Sequence, residues 1–166
     1  MTYSIIGILA AIILLITNRD VLWKVDRAVL TSTQKSYRKF LFGVMAYYIT
    51  DMLWGILESH NLTAVLYADT VVHFIAMAAA VMLWTRYVVI YLEDKKRFGS
   101  LLYYAGGIFL ICEVIVVIIN FFYPVLFWFD ESGAYHAGIL RYVTLAIQII
   151  LFLMTSAYTM SVTGRT

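Results

Sequence analysis

From Ser100 to Tyr123 the chain carries a single charge, Glu113, in a run long enough to cross a hydrocarbon core, which takes roughly 20 residues of helix. Comparable runs lie at Phe40–Glu58, Ala64–Leu92 and Ala137–Met160, with a shorter one at Tyr3–Thr17. In lipid every backbone N–H and C=O must find a partner within the protein, so only helices and closed barrels span it. Barrel strands would alternate apolar and polar residues, and these runs do not. The expectation is an all-α fold: a polytopic transmembrane bundle of about five helices that forms a single domain over 1–166 and leaves no room for a soluble one. Composition agrees, since 63% of the residues are hydrophobic and 13% charged, against roughly half and a quarter in soluble domains.

The ends of the runs carry start and stop signals. Asn18-Arg19-Asp20 closes the first run, which has no basic residue before it and no cleavage pattern after it, so it reads as a retained helix. Thr31-Ser32-Thr33-Gln34 has the form of a capping box and predicts that the second helix begins in the cytoplasm, ahead of the membrane. Gly99 reads as the stop after the third helix, and Pro124 as the end of the fourth. Six Lys and Arg lie between Arg19 and Lys39 and three from Lys95 to Arg97, whereas His60–Thr63 and Pro124–His136 have none. Positive charge marks the cytoplasmic side, so the N-terminus is expected outside and the C-terminus, with Arg165, inside. Trp128 and Tyr135 then fit an outer aromatic belt, and the loop carrying them reads either as an interfacial anchor or as a lid over the bundle mouth.

Ionisable groups at bilayer depth are costly and mark a functional site by default. Tyr47, Asp51, Trp54 and Glu58 recur at helical spacing on one stripe of the second span. Asp69 and His73 are four apart on the third, close enough for the carboxylate to orient the imidazole. The fourth offers Glu113 and Asn120, and the fifth Arg141, Thr144 and Gln148. With a rise of about 1.5 Å per residue, Asp51 and Asp69 come out about 10 Å below the outer surface, His73 and Glu113 about 15 Å and Arg141 about 5 Å. A shared depth is what a pocket open to the outside needs, with Arg141 as the cation that offsets part of the acidic cluster. The candidate ligand-binding residues are therefore Tyr47, Asp51, Trp54, Asp69, His73, Glu113, Arg141 and Gln148. The plain alternative is that these groups pair with one another and hold the bundle together.

Other chemistries find little support. No lysine lies in a span, which excludes a retinal Schiff base. His73, Asp69 and Glu113, with His60 or Glu58 above, sketch a metal site, yet no metal-ligand spacing accompanies them. Cys112 is alone, so no intrachain disulfide forms. There is no HExxH pattern and no phosphate-binding glycine loop, and an enzyme is not expected; no cofactor is implied. A net charge of +2 excludes nucleic acid as an expected partner. Arg86 reads as a side chain that snorkels to the cytoplasmic headgroups.

Tyr47-Tyr48-Ile49-Thr50-Asp51-Met52-Leu53-Trp54-Gly55, Leu66-Tyr67-Ala68-Asp69-Thr70 and Trp84-Thr85-Arg86-Tyr87 form a recognisable set with Asn120 to Pro124, Trp128 to Asp130 and Tyr135 to Tyr142. Through them nearly the whole chain resembles the N-terminal multi-pass membrane sensory region of GGDEF diguanylate cyclases and sensor histidine kinases from anaerobic Gram-positive bacteria. The resemblance implies a bacterial plasma-membrane module that passes a signal to a cytoplasmic cyclase or kinase effector on a longer chain. Such regions usually continue through further helices before the effector, whereas this sequence stops at Thr166, so it is expected to be a fragment or a version without output. The functional expectation is a receptor-like module that binds a small ligand in the outer-half pocket. The alternatives are a small transporter or proton-coupled carrier using Asp51, Asp69, His73 and Glu113, and a structural membrane subunit. The partners allowed are the lipid bilayer, a small-molecule ligand, the effector and a second copy in a homodimer.

Overall fold

The computed structural model describes residues 2–23, 30–92 and 97–164. Glu93, Asp94, Lys95, Lys96 and Arg165, and Lys24 and Arg27 of the first basic loop, lie outside the described residues. Among the described residues six helices and one hairpin follow in order: α1 Thr2–Thr17, α2 Arg19–Leu22, α3 Ser32–Ser59, α4 Thr63–Tyr91, α5 Arg97–Phe122, β1 Phe127–Phe129, β2 Tyr135–Ala137 and α6 Ile139–Thr163. Among the described residues four helices, α3 to α6, are long and apolar enough to cross a membrane. Helix α1 has 16 residues, or about 24 Å of rise against a hydrocarbon core of about 30 Å.

Local chemistry sets the helix ends. Thr31 caps α3 through the full box: its Oγ1 accepts from the Gln34 N–H at 3.2 Å, and Gln34 Oε1 accepts from the Thr31 N–H at 3.1 Å. Asn18 ends α1, its Nδ2 donating to the Leu14 carbonyl at 3.0 Å and its Oδ1 accepting from the Tyr37 hydroxyl of α3 at 2.6 Å. Asn61, at a φ of 55°, turns the chain between α3 and α4, a left-handed conformation that Asn tolerates. Gly99 does not stop a helix; it is buried in the first turn of α5. A glycine weakens a helix by only about 1 kcal/mol, which the rest of a 26-residue helix outweighs. Helix α5 ends at Phe122, two residues before Pro124.

Helix α4 is the axis of the molecule. It packs on α3, α5 and α6, while α1 lies against α3. Small residues bring the axes together. A Cβ on Gly106 of α5 would fall 2.1 Å from Thr85 Oγ1 and 3.2 Å from Met82 Cα, and one on Gly43 of α3 would fall 3.4 Å from Ala80 Cα. Three apolar clusters stack along the bundle: Phe74, Val117, Leu126 and Phe127 at the hairpin end, Ala78, Val81, Phe109 and Leu151 in the middle, and Val88, Leu102 and Tyr158 at the other end.

The burial pattern is inside-out relative to a soluble protein. Ile108, Ile111, Ile115 and Ile118 of α5 and Ile139, Leu145, Ile149 and Leu153 of α6 are exposed, whereas Thr70, Thr85, Glu113, Asn120, Thr144 and Thr155 are buried. Apolar faces of this extent are what a lipid environment accepts and water does not.

The loop after Pro124 folds. Strands β1 and β2 pair antiparallel with Trp128 opposite His136, and Gly133 takes a φ of 81° in the turn. Leu126 and Phe127 are fully buried, and the Phe127 ring stacks on Phe74 of α4 at 5.6 Å. The loop is thus a folded plug in the bundle end. Only Trp128 keeps the exposed position of a belt aromatic, stacked on His136 at 5.3 Å. Tyr135 instead turns inward against Trp54 and Phe127.

Candidate functional site

A cavity of about 390 Å³ opens at the hairpin end between α3, α4 and α6. From α3 it is lined by Tyr47, Asp51, Trp54, Gly55 and Glu58, which recur every three or four residues and so share one face. Helix α4 adds Thr70, His73, Phe74 and Met77 at the same spacing, and Arg141, Leu145 and the hairpin's Tyr135 complete the wall. Of the eight residues expected from sequence, the structure brings Tyr47, Asp51, Trp54, His73 and Arg141 together here.

The histidine is held by α3. Thr50 Oγ1 lies 3.0 Å from His73 Nδ1, and the Tyr47 ring packs on the imidazole at 4.7 Å. Asp69 does not orient it, despite standing four residues away: Thr50 takes the nitrogen, and Asp69 Oδ2 is buried without a hydrogen-bond partner. Asp69 is not part of the lining, although it is near enough to Asp51 to feel its charge.

Arg141 pairs with none of the carboxylates expected to need it. Its guanidinium lies 5.4 Å from the centre of the Tyr135 ring, and among the described residues no ion pair joins it to Asp51, Asp69 or Glu113. Burial pushes the Tyr135 phenol above its usual pKa, while the charge and hydrogen bond of Arg141 act the other way. The side chain is exposed at the cavity mouth, so it can turn toward a guest without breaking an ion pair.

Glu113 and Gln148 are elsewhere. Glu113 is fully buried, with both carboxylate oxygens unpartnered. It stands one turn from Phe109 and one from Val117 on the packed face of α5, between the middle and hairpin-end clusters. Gln148 stands one turn from Leu151, and its Oε1 is also buried without a partner. Asn120 is structural, since its carboxamide binds the backbone of Leu126 and Phe127. Among the described residues no three His, Cys, Asp or Glu side chains gather as metal ligands, so the sketch with His73, Asp69 and Glu113 has no geometric counterpart. Arg86 turns onto α5, its guanidinium 4.9 Å from the Tyr103 ring centre and its Nε buried.

Sequence reasoning missed Thr50, Thr70, Phe74, Met77, Tyr135 and Leu145. Thr50 was within reach, because it follows Tyr47 by three and shares its stripe. Tyr135 was not, because its direction depends on the hairpin.

A second cavity, of about 360 Å³, lies between α4 and α6 at the other end and is lined by Trp84, Tyr87, Val88, Tyr91, Ser156, Thr159 and Met160. Its α4 residues continue the heptad-like spacing of Thr70, Phe74 and Met77, so both cavities lie on one face of α4. Trp84 lines the second cavity at the α4 position nearest the first. Its indole N–H donates to Thr155 Oγ1 at 3.0 Å, and its ring packs on Phe40 of α3 and Phe152 of α6.

No protein-family model matches the chain, and no match is found among curated proteins or among solved structures.

Proposed function

We propose that this chain is the membrane-embedded sensory module of a bacterial signalling protein, taking a small ligand into the cavity beneath the hairpin. Helices α3 to α6 cross the plasma membrane and α1 joins them as a short fifth span around which the bilayer thins, with the N-terminus and hairpin outside and the C-terminus in the cytoplasm. The observation that supports the reading is the cavity itself: Asp51 and Arg141 line it without pairing with each other, beside an oriented His73 and four aromatic side chains. A bundle that used its polar groups only for internal locking would pair opposite charges so close together. The resemblance to sensory regions of GGDEF cyclases and histidine kinases supports the same reading and supplies the output, a cytoplasmic effector on a longer chain.

A ligand touching Asp51 of α3, His73 of α4 and Arg141 of α6 favours whichever helix arrangement brings those walls closest. It shifts the equilibrium by its differential affinity for the two arrangements. Trp84 touches α3, α4 and α6 at once, so a change of α3 against α6 is felt at the cytoplasmic end of the bundle. The test is access. In a Cys112→Ser background, Met77→Cys is expected to react with a membrane-impermeant thiol reagent added from the outer face; reaction from the cytoplasmic face alone would remove the reading.

The second cavity favours a second reading, a small transporter or carrier whose path follows the shared face of α4 past Trp84. That reading requires solute flux in proteoliposomes that rises when Trp84→Ala removes the barrier. Absence of flux in both forms would exclude it.

A further inference from the structure

We infer that the ligand of the hairpin-end cavity is a small organic ammonium, an amine of about amino-acid size. This rests on the sensory-pocket reading and adds the chemical class. The lining holds two carboxylates, Asp51 and Glu58, against one guanidinium, Arg141, and neither carboxylate has an ion-pair partner among the described residues. A third carboxylate stands just outside the lining: Asp69, one residue before Thr70, is nine-tenths buried with Oδ2 unpartnered. The field inside the cavity therefore favours a positive guest.

The rest of the wall fits the same charge. Tyr47, Trp54, Phe74 and Tyr135 present aromatic surface, whose faces attract ammonium groups as well as apolar bodies. Arg141 already shows that a cation sits against Tyr135 from the mouth side, at 5.4 Å. An anionic ligand would meet Asp51 and Glu58 with only the exposed Arg141 to hold it, and a neutral apolar one would leave Asp51 buried without a partner. A protonated amine that donates to Asp51 answers both, with its body along Trp54 and Tyr47 and any acceptor at its far end within reach of Arg141. The volume of about 390 Å³ lies near the lower end of small-molecule sites, which excludes large cofactors.

The experiment uses the purified chain in an uncharged detergent and four probes that share one ring and differ in charge: tyramine, N-acetyltyramine, 4-hydroxyphenylacetate and tyrosine. Binding is read from calorimetry, with melting and size-exclusion profiles reporting the fold of every variant. Tyramine is expected to bind saturably, with N-acetyltyramine and 4-hydroxyphenylacetate weaker by about tenfold or more, the weight of a charge-assisted hydrogen bond. Asp51→Asn, which keeps the side-chain shape, is expected to weaken tyramine by a similar factor. If that variant fails to fold, Glu58→Gln at the exposed rim is expected to weaken tyramine by about threefold. Tighter binding of 4-hydroxyphenylacetate that is lost in Arg141→Gln would overturn the amine class while leaving the cavity as a ligand site. No saturable binding of tyramine or tyrosine to folded protein would also overturn the class. The Met77→Cys labelling decides the cavity reading separately in either case.

Discussion

The side-chain amide of Asn120 holds both polar groups of the Phe127 backbone: Nδ2 donates to the Phe127 carbonyl at 3.1 Å, and Oδ1 accepts the Phe127 N–H at 3.2 Å and the Leu126 N–H at 2.7 Å. All of these groups are buried, so no water replaces a lost partner. Asn120→Leu keeps the volume and orphans three backbone groups, an expected loss on the order of 2–4 kcal/mol. Thermal melting in detergent measures it. Limited proteolysis at the Glu131–Ser132 turn is expected to speed up at the same time, because the plug loses its anchor. A variant that melts like the wild type and resists the protease as well would show that apolar packing of Phe127 alone seats the hairpin.

The contrast between Gly106 and Gly107 tests how closely α4 and α5 approach. A side chain at Gly106 meets Thr85 and the α4 backbone, whereas a Cβ at Gly107 reaches only Arg86 Nη2, at 3.8 Å. Gly106→Val is expected to destabilise the bundle by about 1–3 kcal/mol, the usual cost of overpacking, and Gly107→Ala by less than about 0.5 kcal/mol. Melting of the two variants side by side decides the matter, and equal effects would mean that the two helices part easily.

These two positions also show what a sequence can and cannot convey. Hydropathy and local caps located α3 to α6 within a few residues, because chain length across lipid and the Thr31–Gln34 box are local properties. Gly99 misled for the opposite reason: whether a glycine ends a helix or sits inside one depends on the rest of the helix and its packing, not on the glycine alone. The candidate site divides in the same way. Rise per residue placed Asp51, Asp69, His73, Glu113 and Arg141 at similar depths, but depth is one coordinate. The direction around each helix axis sends Glu113 into the core between Phe109 and Val117, and leaves Asp69 outside the lining, while His73 meets Thr50. The hairpin was unreadable because three-residue strands carry no period, and its aromatic run looks the same whether it anchors in headgroups or plugs a bundle.

Glu113 is the most exposed to challenge among the buried acids. Both of its oxygens lack a partner in a fully buried position, and an unpaired acid in such surroundings is a burden on stability. Glu113→Gln keeps the shape and removes the ionisable group, so the melting temperature is expected to hold or rise, by up to about 2 kcal/mol of stability. A sharp fall, together with a wild-type melting temperature that rises with added salt of one cation, would instead reveal a bound cation that the carboxylate holds.

The hairpin turn carries its own pH dependence. Asp130 Oδ1 accepts from the Ser132 hydroxyl, from the Ser132 N–H at 2.9 Å and from the Ala134 N–H at 3.0 Å, while Oδ2 lies 2.8 Å from His136 Nε2. The Ser132 hydroxyl first, then His136 and the Ala134 N–H, hold the carboxyl well below its ordinary value of 3.8. A group depressed on folding contributes stability that is present above its unfolded pKa and is lost as the pH falls through the lower folded one. The turn is therefore expected to stay formed from neutral pH down to about 4 and to loosen only as the solution becomes more acidic than that. Amide exchange at Ala134, divided by its intrinsic rate at each pH, reads this directly. Asp130→Asn should exchange faster at neutral pH and show no further loss in the acid range. A wild-type turn that loosens already above about pH 5 would mean that the carboxylate's contacts do not hold it.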